Sequence, residues 1–400
     1  MNNIRKLTDS LFWVGVNDRR IALFENVYPV PTGMSYNSYV LLDEKTALFD
    51  TVDASFTHDF LENVNAALKG RTLDYLIVNH MEPDHCASIA DVIAAYPEAK
   101  IVCTAKAVGM MKQFFDFDVD SRAILVKEGD TLSLGSHELT FVMAPMVHWP
   151  EVMVTYEKAE KILFSADAFG SFGAVDGNIF ADEIDDKVAW LSEARRYYTN
   201  IVGKFGMSVQ GLLKKAAGLE IRMICPLHSV IWREDLPWLI DKYLKWSSYT
   251  PEEKSVTIAY GSVYGHTEKA ADILAGKLAD RGIRHISVFD VSKTHPSYII
   301  ADAFRTSAMV FASISYNGGI FCNMDTLLHQ LAAHGLTNRT AALIQNGTWA
   351  ATTSKQMGEI LGTMKNIHVL ESDVTIKSAL KNDQEAALDA LADAIAASLQ

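Results

Sequence analysis

Short apolar runs of strand length recur along the first part of the chain, and polar, chemically capable residues follow them. Leu73-Asp74-Tyr75-Leu76-Ile77-Val78 is mostly apolar and partly β-branched, the pattern of a buried strand. It runs into Asn79-His80-Met81-Glu82-Pro83-Asp84-His85-Cys86. Leu139 to Ala144, broken by Pro145, precedes His148; Lys161 to Ser165 precedes Asp167; Met223 to Leu227 precedes His228. Between such runs the spacing becomes helical, as over Ala87 to Tyr96 and Ala105 to Phe115. The irregular order of the two patterns predicts mixed sheets with helices packed outside them.

Near Thr250-Pro251-Glu252-Glu253-Lys254 the pattern becomes regular, which sets the expected domains at residues 1–250 and 255–400. Ser255 to Ala259 reads as a strand, and His266 to Arg281 as a helix stopped by Gly282. Strand candidates follow at Ile286 to Phe289, Ala308 to Ala312, Ala341 to Ile344 and Ile367 to Leu370, with helical spacing between them and a last helix from Gln384 to Ser398. Strands alternating with helices predict a doubly wound, five-stranded parallel sheet, because parallel neighbours require crossovers.

Composition narrows the classes without choosing among them. Of 400 residues, 49% are hydrophobic and 21% charged, the balance of an ordinary globular protein, and the length suits two cores. A formal net charge of −13 works against binding nucleic acid or an anionic membrane. The start, MNNIRKLTDSLFWVGVNDRR, lacks a sustained apolar stretch, so an unexported, cytoplasmic protein is expected. The 4 cysteines, Cys86, Cys103, Cys225 and Cys322, form no CxxC pair and suggest neither a disulfide framework nor a thiolate cluster.

The candidate ligands His80, Glu82, Asp84, His85, His148, Asp167 and His228 all fall just past predicted strands, where tips stay accessible while the backbone is held. Singly, each is an ordinary turn residue. Jointly, imidazoles and carboxylates in this number exceed a structural zinc and suit two metal ions sharing a carboxylate. An all-nitrogen-and-oxygen set leaves iron, manganese and zinc as candidates. In the second domain, Ser262, Val263, Tyr264, Gly265, His266 and Thr267 join the first strand to the first helix, where backbone N–H groups can cradle a phosphate. Neither GxGxxG nor a Walker lysine is present. The loops Ser313-Ile314-Ser315-Tyr316-Asn317-Gly318 and Asn346-Gly347-Thr348-Trp349 follow the third and fourth strands, at the carboxyl edge where open sheets bind ligands.

The His80-x-Glu82-x-Asp84-His85 motif with His148, Asp167 and His228 resembles the metallo-β-lactamase-like domain of the flavodiiron proteins, or A-type flavoproteins. The three loops of the second domain resemble those with which flavodoxins bind FMN, so the resemblance spans nearly the whole chain in the expected order. It implies an N-terminal αββα sandwich followed by a flavodoxin-like sheet. It also implies a non-haem diiron centre, with His80, Glu82 and His148 on one iron, Asp84, His85 and His228 on the other, and Asp167 between them. In some members the residue matching His85 turns away from the metal. Arg195-Arg196-Tyr197-Tyr198 also resembles the family and makes Tyr197 the candidate for a hydroxyl beside the irons, with Tyr316 or Trp349 against the flavin ring.

What the resemblance implies about activity is reduction of O2 to water, of NO to N2O, or of both, with electrons passing from a donor such as rubredoxin through FMN. The missing CxxC motifs argue against a fused rubredoxin. A head-to-tail homodimer, or a dimer of dimers, is implied as the way to bring one subunit's FMN and its Trp349 to the other's irons. Two other readings stand beside this: a zinc hydrolase acting through metal-bound hydroxide, against which Glu82 counts because hydrolases of the superfamily carry His there, and a gas sensor without turnover. The choice between O2 and NO is left open, with Glu25 as one residue that could bear on it.

Overall fold

The computed structural model describes residues 1–400. The chain forms two compact units, Met1–Tyr198 with Met207–Leu244, and Thr199–Gly206 with Lys245–Gln400. No helix is long and apolar enough to cross a membrane.

In the first unit a 7-stranded sheet and a 5-stranded sheet carry the runs read from the sequence. The 7-stranded sheet is antiparallel through Leu11–Trp13, Tyr39–Leu42 and Thr46–Phe49, then parallel through Tyr75–Ile77, Lys100–Cys103 and Ala123–Leu125. The second sheet holds Thr131–Ser133, Glu138–Met143, Met153–Glu157, Ile162–Phe164 and Met223–Cys225 in that order. Phe49 of one sheet stacks on Phe164 of the other, with centroids 3.7 Å apart, and Tyr39 meets the same ring edge-on. The sheets therefore face each other across an apolar layer, each buried aromatic contributing about 1.5–3 kcal/mol. Helices such as Thr57–Leu68 and Ala105–Phe114 complete the metallo-β-lactamase-like sandwich.

Alternation in the strands of the second unit explains why helices cover both faces of its sheet. Val256, Ile258 and Tyr260 pack with Val310, Ile344 and the helices His266–Asp280 and Glu385–Ser398. Ala259, Met309, Phe311 and Leu343 pack with Pro296–Arg305, Cys322–Ala333 and Thr353–Leu361. The strand order runs Ile286–Asp290, Glu253–Gly261, Thr306–Tyr316, Arg339–Asn346, Ile367–Val369, all parallel, which is the flavodoxin-like order 2-1-3-4-5. The fifth strand is interrupted: Ile367–Val369 pairs with the start of Arg339–Asn346, and a separate Val374–Ile376 pairs with its end. The polar stretch Glu371-Ser372-Asp373 between them explains the break.

Candidate metal centre and flavin edge

Four strand ends deliver the predicted ligands to one place in the first unit. Tyr75–Ile77 leads into the His80 segment, where Pro83 opens a one-turn helix, Pro83–Cys86, that carries Asp84 and His85. Glu138–Met143, Ile162–Phe164 and Met223–Cys225 lead to His148, Asp167 and His228. All seven side chains are buried, and their ligand atoms divide into two groups, His80, Glu82, His148 and Asp167 in one and Asp84, His85 and His228 in the other.

Asp167 faces both groups. Its Oδ2 lies 3.0 Å from His148 Nε2 and 3.4 Å from His80 Nε2, while Oδ1 lies 3.2 Å from His85 Nε2 and 3.8 Å from His228 Nε2. Glu82 Oε2 completes the first group at 3.0 Å from His148 and 3.4 Å from His80; Asp84 Oδ2 completes the second at 3.2 Å from His85 and 3.3 Å from His228. His80 Nε2, both Asp84 carboxylate oxygens and both Asp167 oxygens are buried without a hydrogen-bond partner, so the donor set suits cations that would engage these atoms.

Electrostatics agree with that reading. Burial works against charge on His148, yet Asp167 and Glu82 outweigh it and raise its pKa to about 9. His80 and His85 are also raised despite burial, chiefly by Asp167 and Asp84 respectively. Burial raises the Asp167 and Glu82 carboxyls, but the surrounding imidazoles hold both well below the usual carboxylate range. The pocket favours concentrated positive charge among its carboxylates, which a metal pair supplies.

Tyr197 lies fully buried with its ring 5.4 Å from that of His228, and its hydroxyl has no partner. Burial and then Asp167, Asp84 and Glu82 push its pKa well above the ordinary value.

In the second unit the three predicted loops sit at the carboxyl ends of neighbouring parallel strands. Gly265 takes φ 88° immediately before the helix His266–Asp280, a conformation that suits glycine, and its N–H donates to Ser262 Oγ at 3.1 Å. Thr267 is buried and accepts from Asn346 Nδ2 at 3.3 Å, which ties the first loop to the third; Asn346 Oδ1 is buried without a partner. A Cβ on Gly347 would lie 2.2 Å from the Ala350 carbonyl oxygen, so this tight turn admits no side chain. Asn317 and Gly318, at φ 51° and 77°, turn the chain so that Gly319–Ile320 pairs back onto Ser315 and Tyr316. Ser313 Oγ accepts from Phe321 N, and Ser315 Oγ from Thr352 N. Val263, Tyr264, Tyr316 and Trp349 are exposed around this edge, and Thr348 Oγ1 meets Ser378 Oγ at 3.0 Å. A helix N-terminus, loop amides and outward aromatic rings on one sheet edge fit a phosphate joined to a flat ring system.

Residues 34–229, which span every candidate ligand, match the family described as ODP family beta lactamase. The anaerobic nitric oxide reductase flavorubredoxin of Escherichia coli (strain SMS-3-5 / SECEC) is 30% identical over 388 residues, covering 94% of this chain and 78% of the relative. The chain belongs to the flavodiiron proteins.

Two solved flavodiiron structures extend the likeness across both units. Rubredoxin oxygen:oxidoreductase from Desulfovibrio gigas superposes with TM-score 0.92 at 29% identity, covering 99% of this chain and 98% of that one. The flavodiiron protein of Giardia intestinalis gives TM-score 0.93 at 26% identity, covering 100% and 98%. As in other members, FMN and a diiron site are the cofactors, and the chain is an oxidoreductase.

Several residues around this flavodiiron centre carry no motif. Glu151 Oε1 binds His80 Nδ1 and Met81 N, each at 2.8 Å, fixing the His80 ring from behind. Asp50, raised to about 6 by burial, accepts from Asn79 N at 2.7 Å and His80 N at 3.1 Å. The Ser35 carbonyl orients His228 through Nδ1 at 2.7 Å. Glu25 reaches the site from a hairpin tip. Partial burial of its carboxyl, followed by the charge of Glu82, pushes its pKa up to about 8. Positive φ at Asp50, Ala166 and Ser229, all non-glycine, places left-handed backbone around the centre, where the packed sheets hold it.

Proposed function

We propose that this chain reduces O2 to water or NO to N2O at two irons held by His80, Glu82, Asp84, His85, His148, Asp167 and His228. The observation that carries the reading is Asp167, whose two oxygens face two separate groups of nitrogen and oxygen ligands. Ser262 to Thr267, Ser313, Ser315 to Gly318 and Asn346 to Trp349 would hold FMN in the second unit. Bound there, FMN would supply one-electron transfer and the irons a gas-binding redox centre; O2 to 2 H2O needs 4 electrons and 4 protons, and 2 NO to N2O and H2O needs 2 of each.

The side chains prepare this chemistry in distinct ways. Glu82 adds negative charge that favours ferric over ferrous iron more than an imidazole would. Glu151 and the Ser35 carbonyl each engage the Nδ1 of a histidine, which leaves Nε2 free to face the centre. Tyr197 keeps its phenolic proton at neutral pH and can donate it as a hydrogen bond into the pocket. Burial of all seven ligands lowers the local polarity and strengthens their electrostatic interactions.

The electron donor we assign is rubredoxin or a similar small carrier, and the working form a head-to-tail homodimer in the cytoplasm, in which Trp349 of one subunit serves the other's centre. Light scattering combined with rubredoxin-linked turnover in dilute solution tests the dimer: a fully active monomer would refute it. The decisive assay supplies the iron-loaded chain with electrons through rubredoxin and follows O2 and, separately and anaerobically, NO. Consumption of either gas with the stated product is expected. Zinc in place of iron and no turnover of either gas would return the zinc-hydrolase reading.

A further inference from the structure

Three tryptophans form a line through the first unit that the gas chemistry leaves unused. Trp238 is half-buried in the helix Leu236–Ser247, and its ring stacks on that of the buried Trp232, inclined by 29° with centroids 5.9 Å apart. Trp232 in turn meets the ring of Trp190 edge-on at 4.8 Å. Trp190 Nε1 donates to Ser229 Oγ at 3.0 Å, and Ser229 is the residue after His228. The line therefore starts one peptide bond from a candidate metal ligand and ends at the surface. Its middle is fixed by backbone: Ile224 N donates to Trp232 O at 2.8 Å and Trp232 N to Ile224 O at 3.0 Å, beside the strand Met223–Cys225 that leads to His228.

Indole, unlike the ring of phenylalanine, can give up one electron and be restored. Trp232 Nε1 is buried without an acceptor, so an oxidised Trp232 keeps its proton and passes the positive charge on. Trp190 faces only a hydroxyl, which is a weak base. Trp238 is open to water, and the Lys242 ammonium lies 5.7 Å from its ring centroid, so a radical cation there is driven to shed its proton. The two ends differ in the sense that carries charge outward. Trp149, by contrast, meets the rings of His80 at 5.5 Å and His148 at 6.3 Å, so a radical formed on it stays beside the ligands.

We infer that Trp190, Trp232 and Trp238 form a one-electron relay through which an oxidised centre short of flavin electrons is refilled by a small thiol at the protein surface. The inference rests on the diiron reading. One electron passes from Trp190 to the centre, Trp232 refills Trp190, and Trp238 refills Trp232, while the Trp238 indole proton goes to water. The neutral radical then takes a hydrogen atom from the thiol, which leaves as a thiyl radical. In sum, the thiol gives one electron to the centre and one proton to water. The relay spares the ligands from oxidation when the electron donor runs out.

The test uses the full chain with iron and flavin, reduced by fewer electrons than O2 needs to become water, then mixed with O2 and a nitroso spin trap in the absence of thiol. Peptide mass spectrometry locates the trapped radical, and freeze-quench EPR measures its amount. The adduct is expected on Trp238 in wild type, and thiol added beforehand suppresses it. W232F and W190F lose that adduct and gain oxidation at Trp149 and the ligand histidines, with iron and flavin content as in wild type. W190F, at a half-buried position, carries the test if W232F fails to fold. No adduct in wild type, adduct on Trp149 alone, adduct on Trp238 undiminished in the variants, or an equal amount in zinc-loaded protein would overturn the relay and leave the diiron reading standing. A wild-type chain that takes up no iron would overturn both.

Discussion

In the metal centre the functional side chains are buried and meet one another; at the flavin edge Tyr264 and Trp349 stand 88% and 93% exposed, and loop backbone does most of the shaping. The first arrangement is complete within one unit, with each imidazole oriented from behind or held by a carboxylate. The second is a frame of amides, hydroxyls and glycines with rings that stand largely exposed. A preorganised ion site needs exact side-chain chemistry, so single substitutions should act on binding. A backbone cradle needs shape, so it should fail through steric overlap.

Replacing Asp167 should produce the largest effect. D167A removes the one group that faces both ligand sets and leaves the imidazoles of His80 and His148 without their main counter-charge. Iron content should fall to one per chain or fewer, with gas turnover down at least about 100-fold, while flavin stays bound. Metal analysis and flavin absorbance, read on the same sample, check both halves of the contrast.

At the flavin edge, G347A is the matching test of shape. A methyl group 2.2 Å from Ala350 O cannot be relieved by a side-chain rotation, because the obstacle is backbone. A loss of about 1–3 kcal/mol in stability is expected, with flavin occupancy reduced and two irons retained. Retention of full flavin occupancy would show that the loop rearranges freely.

Supporting residues come next. E151Q should weaken iron binding about 10–100-fold, since a carboxylate that holds His80 Nδ1 and Met81 N becomes a neutral amide. Chelator competition separates this from a folding defect if the melting temperature of the metal-free protein barely moves. Removing metal also exposes a pH dependence. In the chelated protein the raised imidazoles stabilise the fold through their charge. That contribution is whole below the ordinary histidine pKa of 6.5 and is lost as pH rises towards about 9, the folded value for His148. Melting temperature of the chelated protein should therefore fall over this window, whereas bound iron keeps the imidazoles neutral and the loaded protein should show no such fall.

How far the sequence could be read follows the same division. The candidate ligands were legible as a set because each follows a strand-like run, Leu73 to Val78 before His80 and Lys161 to Ser165 before Asp167. The sheet of the second unit was legible because alternation sorted Val256 and Ile258 from Ala259 onto two faces. Glu151 was not, since nothing in Trp149-Pro150-Glu151 marks a contact 71 positions away. The Ser35 carbonyl is invisible in principle, because every residue has one. Val374–Ile376 is too short to stand out from its polar surroundings, and Glu25 gains its position from a hairpin only two residues wide on each side.

The smallest effect on stability, and the sharpest on the comparison, belongs to Trp349. With 93% of its surface exposed it contributes little to the fold of its own unit, and W349A should change stability by no more than about 0.5 kcal/mol. Flavin should remain bound through the loop amides, and both irons should remain. If the exposed ring is part of the path by which electrons leave the flavin for a partner's centre, rapid mixing of the reduced protein with O2 should show slower flavin reoxidation in W349A, with the rate of flavin reduction by rubredoxin unaltered. Equal slowing of both steps would instead place the ring at the donor's docking surface. An unchanged rate of each would mean that the flavin edge, unlike the metal centre, needs only its backbone.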